Sequence, residues 1–243
     1  DAIDGGRKDI CIVSALHNFG LFETHDIMKE TDYYISLDAG PITLPEMTEG
    51  GSGAHEEQWY WDRTKDRVLI TTIYGNHELL TKWQGKIFFF QQSWNSPKIK
   101  TEVFDSGIVD IKRLPDFATG GNVLGAALYF ARAVLGGSNM IFIGADFCFS
   151  YDHKFHSWDS GYDAQFTGLM PCTDIFGNRV YTWPSYYNFK CWFDFIACGG
   201  QSQQAHMFIN ATEGGIFGAY PEGCIKQVIQ LDLDNALKMF TMH

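Results

Sequence analysis

The sequence has few cationic residues for its size: 18 Lys and Arg stand against 29 Asp and Glu, a formal net charge of −11 over 243 residues. No Lys/Arg cluster tracks a phosphate backbone, which excludes nucleic acid as an expected partner. No apolar run approaches the roughly 18–20 residues of a membrane span, and the opening DAIDGGRKDI lacks a signal peptide's apolar stretch. A cytoplasmic protein is the expectation, with an internal start left open for DAIDGG. Cys-x-x-Cys pairs are missing too. The 6 cysteines, at 11, 148, 172, 191, 198 and 224, follow no regular framework. In a chain long enough not to need cross-links they read as mostly free thiols in a reducing compartment. Neither G-x-x-x-x-G-K-[ST] nor G-x-G-x-x-G occurs, and Ser14, Cys148 and Cys172 carry no nucleophile signature.

What is present is apolar mass: 45% hydrophobic and 16% aromatic residues, enough for a substantial core and too much for disorder. Strand-like runs at 10–14, 33–38, 67–73, 86–92, 139–143 and 205–210 alternate with helix-like stretches near 21–30, 76–83, 120–137, 185–198 and 223–240. Alternation of this kind predicts an α/β, Rossmann-like fold: a mostly parallel sheet with helices on both faces, three layers α/β/α, in one domain spanning 1–243. The proline- and glycine-bearing stretch after Asp38 reads as loop, with 43–62 a loop or insertion. Trp59, Tyr60 and Trp61 read as packing residues.

Open α/β sheets bind ligands beyond the carboxyl ends of their strands, where loops meet helix N-termini. That rule selects Ser14–Asn18, Asp38–Ile42, Tyr74–His77 and the stretch GADFCFSYDHKFHSW at 144–158, which follows the strand taken as central. Thr119-Gly120-Gly121-Asn122 precedes a helix and offers backbone amides to a phosphate. Each has a plainer alternative, a turn for the Gly-Gly pair and a turn cap for Asp146. His153 and His156 have H-x-x-H spacing near Asp152 and Asp159, but loop histidines are common and no metal site is assigned.

Three segments resemble the Maf and MptE-like family. The run TGGNVLGAALYFARAVLGGSNMIFIGADFCFSYDHKFH at 119–156 resembles its central signature, approximately T-G-G-S-V, a helix, I-x-x-x-G-x-D-L and a loop ending in histidine. FINATEGG at 208–215 resembles its N-A-T-E-G-G turn, and RVLITTIYGNHELLTKWQGKIFFF at 67–90 is similar, less closely, to its strand, helix start, Trp-x-Gly-Lys and following strand. Together they span well over half the chain in the family's order. The family includes motility-associated factors, thought to attach nonulosonic sugars to flagellin, and archaeal hydroxymethylpterin pyrophosphokinases. It is also similar to bacterial sialyltransferases that use a CMP-sugar.

The resemblance implies a nucleotide site at Gly120, Gly121 and Asn122, with Asp38 on the ribose or base, and places Thr212, Glu213, Gly214 and Gly215 on a second signature, whose Thr212, Glu213 and Gly214 count as nucleotide-binding candidates. Asp146, His156 and Tyr151 become catalytic candidates: His156 as the base on an acceptor hydroxyl, Tyr151 on the leaving phosphate, Asp146 orienting loop or ribose. The implied partners are a CMP-linked sugar donor and an unknown acceptor, with an oligomer open, and the transferase reading requires no cofactor. Two alternatives stand beside it. A pyrophosphokinase would need Mg²⁺ held by Asp38, Asp146 or Glu213. A non-catalytic binding descendant would explain two departures: VSALHNFGL stands where relatives have a G-x-G-P-S-L turn, and no histidine lies between 156 and 206.

Overall fold

A computed structural model describes residues 10–26, 31–49, 55–92, 115–149, 168–199 and 207–240. The chain divides between Leu135 and Gly136 into two compact units.

In the first unit, β1 (Val13–Ala15), β2 (Tyr33–Ser36), β3 (Val68–Thr72), β4 (Lys86–Gln92) and β5 (Asp116–Phe117) form a five-stranded sheet in sequence order, every pair parallel. Strand side chains alternate between faces, and the two cores follow that alternation. Tyr34 and Leu69 join Phe19, Met47, Tyr60, Trp61, Leu79 and Trp83 on one face. Ile35 and Ile70 join Phe90, Phe117, Ala126 and Phe130 on the other. The first face is covered by α1 (Phe19–Thr24), α2 (Thr43–Glu49), α3 (Glu57–Arg63) and α4 (His77–Lys82), and the second by α5 (Val123–Tyr129), which continues as a π-turn over Phe130–Val134. The expected α/β sheet with helices on both faces is therefore what forms.

The stretch 43–62, expected as loop or insertion, instead holds α2 and most of α3. Pro45 belongs to the first turn of α2, where backbone N–H groups lack intrahelical partners and proline costs nothing. Thr43 Oγ1 donates to the carbonyls of Gly40 at 2.9 Å and Asp38 at 3.2 Å, tying the helix start to the end of β2. Tyr60 and Trp61 are core residues, 1% and 3% exposed.

In the second unit, β6 (Asn139–Phe142), β9 (Met207–Asn210) and β12 (Val228–Gln230) form a parallel sheet in the order β12-β9-β6. Among the described residues the strand at 139–142, read as central, pairs in this sheet with β9, the middle strand of the three. One face packs Ile209 and Ala211 against Ala236 of α7 (Leu233–Lys238). On the other, Phe142 meets Phe193 of α6 (Pro184–Ala197) at 5.7 Å and Phe217 at 5.2 Å, both edge-on. Two antiparallel ribbons complete the unit, β7 (Met170–Thr173) with β8 (Arg179–Thr182), and β10 (Ala219–Tyr220) with β11 (Gly223–Cys224).

The single helix expected over 223–240 is absent. Its span holds β11, β12 and α7, because Val228–Gln230 pairs with β9 and Asp232 then caps α7, its carboxylate accepting from Asn235 N at 2.8 Å. The β7–β8 hairpin was not foreseen either. Its turn is set by Asp174, whose Oδ1 accepts from Phe176 N at 2.9 Å and Asn178 N at 2.7 Å. Among the described residues no helix is long and apolar enough to cross a membrane, and all six thiols are free.

Candidate functional site

The carboxyl ends of the first unit's strands gather three of the four selected loops. After β1, VSALHNFGL forms a 3₁₀ turn at Leu16–Asn18 and then α1. Its only glycine serves packing, since a Cβ at Gly20 would stand 2.7 Å from Met47 O and 2.9 Å from Thr48 O of α2. No glycine-rich cradle exists there. Asn18 Nδ2 donates instead to Ser14 Oγ at 3.1 Å. After β2, Asp38 is exposed and shares a small pocket with His17, Ser36, Thr43 and Val123. After β3, Asn76 caps α4 by accepting from Leu79 N at 3.0 Å and donates through Nδ2 to Gly40 O at 2.8 Å, fixing the Asp38 loop.

The Thr119–Asn122 turn reaches α5 through two residues with positive φ, Gly120 at 62° and Gly121 at 86°, a conformation that favours glycine. Its amides are partly spent on itself: Gly121 N donates to Thr119 Oγ1 at 3.2 Å and Asn122 N to Thr119 O at 3.4 Å. Asn122 Oδ1 caps the helix, accepting from Gly125 N at 2.8 Å. That bond fixes which way the amide faces, and leaves Nδ2 buried without a hydrogen-bond partner. A buried donor without a partner costs about 1–3 kcal/mol. Something with an acceptor oxygen would relieve it.

In the second unit the two sequence signatures meet. Thr212 Oγ1 accepts from Ala145 N at 2.9 Å, and Ile216 N donates to Asp146 O at 2.8 Å. Gly215 has φ 76°, and a Cβ there would lie 2.5 Å from Asp146 Cα, so glycine is obligatory for this approach. Glu213 adopts φ 62° without being glycine, and the Cβ position of Gly214 lies 4.0 Å from Asp146 Oδ1. Burial by the surrounding protein pushes the Asp146 carboxyl above its ordinary pKa. The residue remains exposed to solvent, which keeps that effect modest. The Cys148 thiol is pushed up to about 12, first by burial and then by Asp146, so it is no thiolate nucleophile near neutrality. Phe147 has φ 52°, and its carbonyl accepts from Thr182 Oγ1 at 2.6 Å.

Tyr151 and His156, with His153 and the H-x-x-H idea, lie outside the described residues. Among the described residues no group of three or more His, Cys, Asp or Glu is arranged to hold a metal ion.

Sequence reasoning missed a buried polar cluster in the second unit. Lys190 of α6 is 1% exposed, its Nζ 2.7 Å from Asp194 Oδ2 and 3.3 Å from the Tyr220 ring centroid. The geometry is not that of a good hydrogen bond, yet at 2.7 Å in a buried setting the two charges are paired. Asp194 also accepts from Gly218 N at 3.1 Å and Tyr220 Oη at 3.0 Å. Burial pushes its carboxyl pKa up, against the opposing pull of Lys190. The readable signal was a Lys and an Asp four apart in the otherwise aromatic SYYNFKCWFDFIAC.

With these geometries in place, one likeness to a solved structure is decisive for the fold: a Maf glycosyltransferase from Magnetospirillum magneticum AMB-1, at TM-score 0.59 and 14% identity, over 95% of this chain. The chain shares the fold of a Maf glycosyltransferase. It spans 30% of that protein's length. No protein-family model matches the chain, and no curated protein does either. At the level of fold, the Maf resemblance read from the three sequence segments is borne out, and the Thr119–Asn122 turn follows the carboxyl end of β5.

Proposed function

We propose that the chain is the nucleotide-binding part of a glycosyltransferase that takes its sugar from a nucleotide-activated donor, CMP-linked and of the nonulosonic type. The observation that carries this reading is the buried, unpartnered Nδ2 of Asn122 in a glycine turn ahead of a helix. The Maf-like fold supports it, as do the sequence matches around Asp146 and at 208–215.

In this reading Asn122 Nδ2 donates to a phosphate or ribose oxygen of the donor, and Asp38 accepts from a ribose hydroxyl. Gly120 and Gly121 let the backbone approach the phosphate. The bond between the sugar's anomeric carbon and the phosphate oxygen breaks, and the phosphate keeps the electron pair. Donors on that phosphate, with Tyr151 proposed among them, stabilise the charge it gains. His156 is proposed to take the proton from the acceptor hydroxyl as its oxygen bonds the anomeric carbon. Thr212 holds the Ala145 amide and Gly215 packs against Asp146, which orients the loop it begins. The chemistry demands no metal.

The test is thermal unfolding with CMP, CDP, ATP and GTP, each with and without Mg²⁺, since a ligand of the native state raises its melting temperature. Stabilisation by CMP without metal is expected, weakened in Asn122→Ser. ATP stabilisation only with Mg²⁺ would replace this reading with a pyrophosphokinase, and no shift with any nucleotide would leave a non-catalytic module. If CMP binds, His156→Ala should abolish turnover and leave CMP affinity nearly intact.

A further inference from the structure

The second unit holds a pocket of about 480 Å³ whose wall includes Cys172, Thr173, Arg179, Tyr187, Lys190 and Tyr220. It shares no residue with the nucleotide reading above and does not depend on it. Two of its wall residues are cations and none of the described ones is acidic, in a chain whose acids outnumber its bases 29 to 18. With Lys190 matched by Asp194, Arg179 is the wall cation left to attract a ligand of opposite sign.

The two cations do different work. Lys190 is covered by the Tyr220 ring and paired with Asp194, so it braces the wall without touching an occupant. Arg179 is exposed, and its Cζ lies 5.4 Å from the Tyr181 ring centroid. None of the ion pairs among the described residues involves it. A guanidinium held beside an aromatic ring with its fork open suits a planar or tetrahedral oxyanion. Tyr187 and Tyr220 add two rings, and Thr173 a hydroxyl. Mixed aromatic and polar walls of this volume match small-molecule sites.

We infer that this pocket binds a small ring-bearing organic molecule through its oxyanion, a carboxylate or a phosphoryl group, with Arg179 as the contacting cation and Tyr187 and Tyr220 beside the ring. The lining thiol supplies the readout. Cys172 and Cys11 both have thiol pKa values pushed up to about 11 by burial, and Cys11 belongs to the other unit, so Cys11 is an internal reference. The intact chain, without nucleotide, is alkylated in the presence of benzoate, phenyl phosphate or inorganic phosphate, and each cysteine is followed by mass spectrometry. Benzoate or phenyl phosphate should slow Cys172 alkylation at least about fivefold at saturation and leave Cys11 unchanged. Whichever protects names the oxyanion. Arg179→Gln, an exposed substitution that leaves the core intact, should raise the concentration needed about tenfold, the loss of one charge-assisted contact. No protection by either ring-bearing probe, equal protection in Arg179→Gln, or equal protection by inorganic phosphate would overturn the inference.

Discussion

Two glycine turns, each following a parallel strand, behave in opposite ways. At 212–215 the turn is consumed by its own fold: the Thr212 hydroxyl holds Ala145 N, and Gly215 lets its backbone press against Asp146. At 119–122 the turn closes on itself through Thr119 and caps α5, yet leaves one buried donor over, Asn122 Nδ2. Similar sequence punctuation thus yields a brace in one unit and an unfilled hydrogen-bond donor in the other. What separates them is whether the surrounding protein supplies every partner.

Substitutions can break that contrast. The largest effect is expected behind the brace. Lys190→Met strands the buried Asp194 that holds Gly218 N and Tyr220 Oη, a loss of about 3–5 kcal/mol measurable by urea denaturation, and Lys190→Met with Asp194→Asn should recover part of it. Next come the glycines themselves. Gly121→Ala meets left-handed strain, about 1–2 kcal/mol; Gly215→Ala meets the same strain and adds a Cβ 2.5 Å from Asp146 Cα, so it should cost clearly more than the strain alone. A loss at Gly215 no larger than that strain would show that close approach is not what makes its turn a brace. Asn122→Ser should cost only a few tenths of a kcal/mol, because serine caps helices nearly as well as asparagine. CMP affinity should nevertheless fall about tenfold, since a charge-assisted bond is lost, and calorimetric titration would separate the two effects.

The smallest expected effect concerns pH at α7. Hydrogen bonds from the backbone and side chain of Asn235 hold the Asp232 carboxyl below its ordinary pKa. A depressed acid contributes stability that is present above its unfolded pKa and lost as pH falls through the folded value. Amide exchange at Asn235 should therefore quicken, relative to the rest of the second unit, on acidification through that window, and Asp232→Asn should flatten the response.

Much of the first unit was legible because its signals are local. The run KIFFFQQ forms β4 over the expected 86–92, and Asn76 announces α4 by capping it. In the second unit the aromatic stretch after Pro184 forms α6, since proline suits a helix's first position. Failures came where a distant partner overruled a local pattern. Val228–Gln230 looked helical until β9 was there to pair with it, and Pro45 looked like a loop residue although it sits in the tolerant first turn of α2.

The candidate site divides along the same line. Chain order and residue type singled out the turn at 119–122, Asp38 and Asp146, because glycines, caps and strand ends are written within a few residues, and the family resemblance singled out the 208–215 signature. Only the tertiary structure decided what they meet: that Gly20 serves a helix contact, that Thr212 is spent on Ala145, that Asn122 keeps a donor in reserve, and that Lys190, Asp194 and Tyr220 form one buried cluster. Those outcomes depend on contacts between residues far apart in the chain, and burial is what gives each satisfied or unsatisfied polar atom its energy.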